Sequence, residues 1–280
     1  MPYRQAQFFL VFVLLTIVIG FWGSYWGAIA RSSAFHVPIA FHVHAVTATA
    51  WVLLLMLQHW SIHGRRRRLH RLAGTASLAL FPFLIVGFVM IINVSAARFL
   101  AAEDASGRFL PPSFGLSMIF AILAYLVLYY QGLRHRRSVR LHAGYMLATP
   151  LILFESPFSR ILLDHLPFLV FTPSDFPQRV LDAIVISMAM AIAFSLVLYL
   201  RDRRFGTPFL VAALLMFAQA AAMYLGTYSE AFRAAFTAYA ALPAWLTLGG
   251  GFALGAAVGW WGWRSAPDRT VGRPVAPATS

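Results

Sequence analysis

Eight stretches of about 20 apolar residues, divided by short loops in which the only basic residue is arginine, leave this chain one class of fold. A run of that length buried in hydrocarbon must satisfy its own backbone groups, so each crosses a bilayer as an α-helix. The stretches are Gln7 to Ala30, Val37 to Trp60, Leu69 to Val94, Ser113 to Gln131, Leu141 to Leu163, Val180 to Leu200, Pro208 to Gly226 and Ala240 to Trp263. The fold class predicted is all-α, a polytopic membrane helical bundle of about eight transmembrane helices. It forms a single transmembrane domain over residues 1–264. The remainder, 265–280, "SAPDRTVGRPVAPATS", has no periodicity and much proline, and is predicted to be a disordered cytoplasmic tail. With 60% hydrophobic residues and 11% charged ones, the chain has too little polar surface to coat a soluble core of this size.

Arginine sets the predicted orientation. Arg65 to Arg68 and Arg71 follow the second stretch, Arg134, Arg136, Arg137 and Arg140 the fourth, and Arg201, Arg203 and Arg204 the sixth. The intervening loops hold Glu103, Asp104, Asp164, Asp175 and Glu230. Positive-inside asymmetry therefore places both termini in the cytoplasm, in a bacterial cytoplasmic (inner) membrane, with the lipid bilayer and anionic lipid head groups at the cytoplasmic face as partners. The formal charge of +13 does not point to nucleic acid, because the arginines are dispersed in short loops and form no continuous face. The first stretch lacks a small-residue cleavage site and is read as a retained helix.

Two residue types are missing, and each absence excludes chemistry. Without cysteine there are no disulfides, thiolate metal sites or iron–sulfur clusters. All 22 basic residues are arginine, so no lysine can form a Schiff base with retinal.

The two most basic loops resemble each other. "LQHWSIHGRRRRLHRLAG" and "YYQGLRHRRSVRLHAG" both run Gln, an arginine-rich turn, Leu-His and Ala-Gly. Gln58 corresponds to Gln131 and His70 to His142, with spacings of twelve and eleven residues. Stretches two to five thus read as a tandem repeat of helical hairpins, and such repeats place sites at their interface. His70 and His142 each begin a helix, where the dipole disfavours an imidazolium, so each is a candidate neutral ligand or proton acceptor.

The outer half carries a second candidate site. His44, Trp51 and Gln58 are seven apart and share one helical face, while His42 points about 200° away from His44. Glu155 lies at a depth similar to His44, between Pro150 and Pro157, each of which frees a backbone carbonyl. Arg160 and Asp164, four residues apart, are predicted to pair with each other, which leaves His44 and Glu155 as candidate metal or proton groups. His59 and His63 share a face but stand among positive charges. Gly251, Gly255 and Gly259 form a smooth stripe for helix packing.

The order of a membrane histidine (His44), a span-ending glutamine (Gln58), "LHRLAG", and a second basic loop with His142 and Met146 resembles a family of bacterial multi-pass membrane proteins that has no established activity. The second motif departs from that pattern, reading "LHAGYM" rather than continuing His-Arg. There is a looser similarity to transmembrane b-type cytochromes and ferric-reductase-like bundles. That likeness implies haem b between His70 and His142, with Gln58 and Gln131 nearby and Arg65 to Arg68 beside its propionates. Ceramidase-type zinc hydrolases are a further comparison, but their His-x-x-x-His near the chain end is absent. Three functions remain open: haem- or metal-dependent redox chemistry, metal-dependent hydrolysis with zinc or iron held by His44 and Glu155, and proton-coupled transport through the same pair.

Overall fold

The computed structural model describes residues 2–31, 37–166 and 176–265, and every regular element among them is helical. The helices are α1 (Ala6–Gly20), α2 (Gly27–Ala30), α3 (Ile39–His63), α4 (Arg67–Ala101), α5 (Ala105–Phe109), α6 (Pro111–Arg134), α7 (Val139–His165), α8 (Phe176–Arg201), α9 (Thr207–Gly226), α10 (Glu230–Ala240) and α11 (Ala244–Arg264). Six of them are long and apolar enough to cross a membrane, and the count reaches eight when each of two bent pairs is one span. The first pair bends by 54° at Phe21 and passes through a π-helical turn, Trp22–Trp26, and the second bends by 99° between α10 and α11. The tail beyond Ser265, His36 and Asp175 lie outside the described residues.

The predicted last span, Ala240 to Trp263, is the single helix α11 apart from its first four residues, and α10 precedes it as a separate element. Pro243 stops the backbone before α11, and α10 lies across the bundle end with only Phe236 fully buried. That ring fills the hollow left by Gly115, where a Cβ would come within 2.1 Å of Phe236 Cε2.

Each long helix divides its faces between lipid and protein. On α3, Ile39, Val46, Leu53 and Trp60 are exposed at seven-residue spacing, while His44, Trp51 and Gln58 form a second row about 140° around the helix, turned inward. Small residues allow close crossings. A Cβ on Gly87 of α4 would sit 2.8 Å from Thr47 Oγ1 of α3, and the glycine stripe of α11 packs on α4, with Gly255 against Pro82 and Gly251 against Val89. The centre is aromatic: Trp51, Phe81, Tyr125 and Tyr129 are almost fully buried, and Phe81 stacks on Tyr129 at 4.0 Å between centroids.

The basic loops gather at one end of the bundle and are tied together there. Arg140 meets Asp202 at 3.7 Å, and Arg136 donates to the Trp263 carbonyl at 2.5 Å. Arg66 lies over Trp60, Arg136 over Trp263 and Arg264 over Trp260, at 4.3, 4.5 and 4.0 Å from the ring centroids. Guanidiniums held on ring faces at this boundary serve the belt of aromatic residues expected of a membrane interface.

Candidate functional site

The hairpins α3–α4 and α6–α7 bring His70 and His142 to one place. Both start an upward helix, and their ring centroids are 6.5 Å apart with the planes at 85°. The His142 Nδ1 hydrogen-bonds the Gly132 carbonyl at 2.8 Å, and the His70 Nδ1 the Gln58 carbonyl at 3.3 Å. A carbonyl only accepts, so Nδ1 carries the proton in both rings and Nε2 is left with its lone pair. The preceding helix end therefore fixes the tautomer and the orientation of each imidazole, as second-shell carbonyls do for metal-bound histidines.

Both rings line a cavity of ≈ 990 Å³ between the hairpins, open toward the basic end. Its walls are largely apolar and include Trp51, Leu55, Leu133 and Met146, while Arg67, Arg71, Arg136 and Arg137 stand around it. Trp51 is held by its Nε1, which donates to Thr149 Oγ1 at 2.9 Å. The Thr149 hydroxyl in turn donates to the Met146 carbonyl, which Pro150 leaves without its helical amide partner.

The two hairpins fill their interiors in opposite ways. In the first, the Gln58 side chain lies over Gly74, where a Cβ would be 3.3 Å from Gln58 Nε2. In the second, the residue whose carbonyl holds the histidine is Gly132, and Met146 fills its place, with Cε 2.7 Å from a Cβ there. Gly74 and Met146 both stand four residues after their histidine, so large and small have exchanged sides. This exchange separates the glutamines: Gln58 lines the cavity and Gln131 is not among its lining residues. Both amide oxygens are buried without a partner among the described residues.

The N-terminal residues also reach the cavity, a contact that no motif in the sequence announces. Pro2 and Tyr3 line it, and the Tyr3 carbonyl accepts from His59 Nε2 at 3.1 Å. Tyr3 takes a positive φ of 55° to turn beneath the bundle, and its ring packs edge-on to Phe209. Burial raises the Tyr3 phenol above its ordinary pKa, with Asp202 adding to the rise and Arg140 opposing it. A neutral phenol at this mouth closes it without adding charge. The His59 and His63 rings are in contact, with centroids 4.1 Å apart and planes tilted by 30°.

The outer candidates form a looser cluster. His44 packs edge-on to Phe88 at 5.1 Å, and its Nδ1 is buried without a partner among the described residues. Glu155 is buried, and among the described residues no hydrogen bond reaches its carboxyl. The charge of Arg160 acts on Glu155, His44 and Asp164 alike. The predicted Arg160–Asp164 ion pair does not form: the guanidinium donates to the Ser156 carbonyl and hydroxyl at 2.6 and 3.0 Å and lies over Phe21 at 4.6 Å. Phe21 is the residue at which the first span bends, so the bend supplies the ring that draws Arg160 inward. No group of three His, Cys, Asp or Glu able to hold a metal occurs among the described residues.

No family model matches the chain, and neither a curated protein nor a solved structure matches it.

Proposed function

We propose that this chain is a multi-pass b-type haem protein of a bacterial cytoplasmic membrane, with His70 and His142 as axial ligands near the cytoplasmic face and both termini on that side. The single observation that carries the reading is the pair of imidazoles across one cavity, each with its Nδ1 proton engaged and its Nε2 free. The ring centroids are 6.5 Å apart, and the two Nε2 atoms would hold the iron of a haem placed between them. The apolar walls exclude water from a planar macrocycle, and the four arginines are placed to neutralise carboxylates at its edge. Bound haem would supply one-electron transfer. The looser likeness to transmembrane b-type cytochromes agrees with this assignment.

Metal-dependent hydrolysis is less well supported. A catalytic zinc asks for three protein ligands and an open position, and His44 and Glu155 provide two. Proton-coupled transport is the second reading, favoured by one observation: a buried Glu155 and an unpartnered His44 nitrogen within reach of one buried guanidinium.

The test is the absorption spectrum and metal content of protein purified in mild detergent from haem-replete cells. A Soret band that His70→Ala or His142→Ala abolishes is the expected result. A colourless protein retaining zinc or iron moves the chemistry to the outer cluster, and a colourless, metal-free one leaves transport.

A further inference from the structure

A second hollow adjoins the cavity that holds His70 and His142, and His59 and His63 line both. It measures ≈ 490 Å³, and its lining is Arg4, Gln7, His59, His63 and Arg65, without a carboxylate. The residues come from two directions, Arg4 and Gln7 from the start of α1 and the others from the end of α3. Neither Arg4 nor Arg65 is in an ion pair among the described residues. The turn after α3 is built to separate its arginines. Arg66 is taken up by the Trp60 ring, while Arg65 adopts a φ of 58°, a left-handed conformation uncommon outside glycine, and faces the hollow. His63 adds a directional requirement. Its Nδ1 donates to the His59 carbonyl at 2.9 Å, and its Nε2 is buried and has no partner among the described residues. With the proton on Nδ1, this nitrogen needs a donor.

We propose that this hollow binds an anionic phosphoryl group that also offers a hydroxyl. The two guanidiniums and Gln7 take the phosphoryl oxygens, and His63 Nε2 accepts from the hydroxyl. Two sources have that chemistry at this boundary: the phosphoglycerol head group of an anionic lipid and a free phosphate ion.

The full chain is purified in detergent and its melting temperature followed on adding short-chain phosphatidylglycerol, short-chain phosphatidylcholine, or inorganic phosphate at matched ionic strength. Saturating ligand should raise the wild-type Tm by ~5 °C. Arg4→Gln and Arg65→Asn should lose the shift; Asn tolerates the left-handed backbone, so the turn is kept. Arg201→Gln, an exposed arginine elsewhere at this end, should keep it. A shift with phosphatidylglycerol alone identifies the lipid source, and one with phosphate as well identifies the phosphoryl group in either form. No shift with either, an equal shift with phosphatidylcholine, or a shift that survives both substitutions or is lost equally in Arg201→Gln overturns the proposal. If either variant fails to fold, native mass spectrometry of the wild type from an equal mixture of the two lipids decides: equal retention overturns it.

Discussion

His142 Nδ1 lies 2.8 Å from the Gly132 carbonyl, and His70 Nδ1 lies 3.3 Å from the Gln58 carbonyl. The two imidazoles thus play the same part in two hairpins, with the one on α7 held more tightly. Losing His142 should therefore weaken haem binding more than losing His70. In haem titrations followed at the Soret band, His70→Met should leave a low-affinity species with an altered spectrum, since one imidazole stays in place. His142→Met should bind at least tenfold more weakly than that. Equal binding by the two variants would show that the helix-end carbonyls do not set ligand strength.

Topology supplies a second expectation. Arg140 and Asp202 join the second and third basic loops, and Arg136 reaches the end of α11, so these segments share one side of the membrane. Reporter fusions after Arg68, Arg137 and Arg204 should all read cytoplasmic. A fusion after Tyr228, ahead of α10, should read periplasmic. One cytoplasmic fusion point reading periplasmic would remove both the eight-span layout and the common end on which the histidine site depends.

Close helix crossings predict which glycines matter. A Cβ on Gly255 would lie 2.9 Å from Pro82 Cα, and one on Gly20 would lie 2.1 Å from the Pro157 carbonyl oxygen, both backbone atoms that cannot move aside alone. Gly249 and Gly250 have open space around that position. Gly20→Ala and Gly255→Ala should each cost about 1–3 kcal/mol, read as a lowered Tm in detergent, while Gly249→Ala and Gly250→Ala should be neutral or slightly stabilising.

Much of this layout was legible in the sequence because it follows from local rules. Apolar length gave the helices, arginine placement gave the common end, and the repeated Leu-His after each basic turn gave two histidines at one level. The rest depends on contacts between distant segments. Gln131 resembles Gln58 in the repeat, yet the bonded carbonyl is twelve residues before His70 and ten before His142, so it falls one residue beyond Gln131, about 100° around the helix, at Gly132. Nothing in "SRILLD" says that Arg160 will prefer Ser156 and the Phe21 ring to Asp164, because that ring arrives from α1 only when the bundle closes. The positive φ of Tyr3 and the 99° bend before α11 are likewise set by what the chain must pack against.

Trp51 separates scaffold from ligand. Its indole is 1% exposed, lines the cavity that holds His70 and His142, and donates to Thr149. Trp51→Phe keeps most of the packing and removes one buried hydrogen bond, which should cost about 0.5–1.5 kcal/mol with the Soret band retained. Trp51→Ala opens a cavity beside the ligands, should cost about 3–5 kcal/mol, and should broaden or shift the band as water enters. An unchanged spectrum in Trp51→Ala would place the haem elsewhere.

Glu155 and Arg160 provide the last test, because a buried acid and a buried guanidinium can be coupled without an ion-pair contact. Arg160 has found hydrogen bonds at Ser156 and a ring at Phe21, so its charge is accommodated locally, while Glu155 depends on that charge at a distance. Arg160→Gln should then destabilise the wild type, because the carboxyl loses the one cation that acts on it among the described residues. The same change in a Glu155→Gln background should cost less, since no acid remains to be stranded. Melting of the four proteins in detergent closes a double-mutant cycle, with an expected coupling of roughly 1–3 kcal/mol. Additive effects would mean that the two groups are independent, and the buried carboxyl would then be free to exchange protons without disturbing the fold, which is what the transport reading requires. Strong coupling with unaltered haem absorbance instead marks the pair as part of the scaffold that holds α7 against the bent first span.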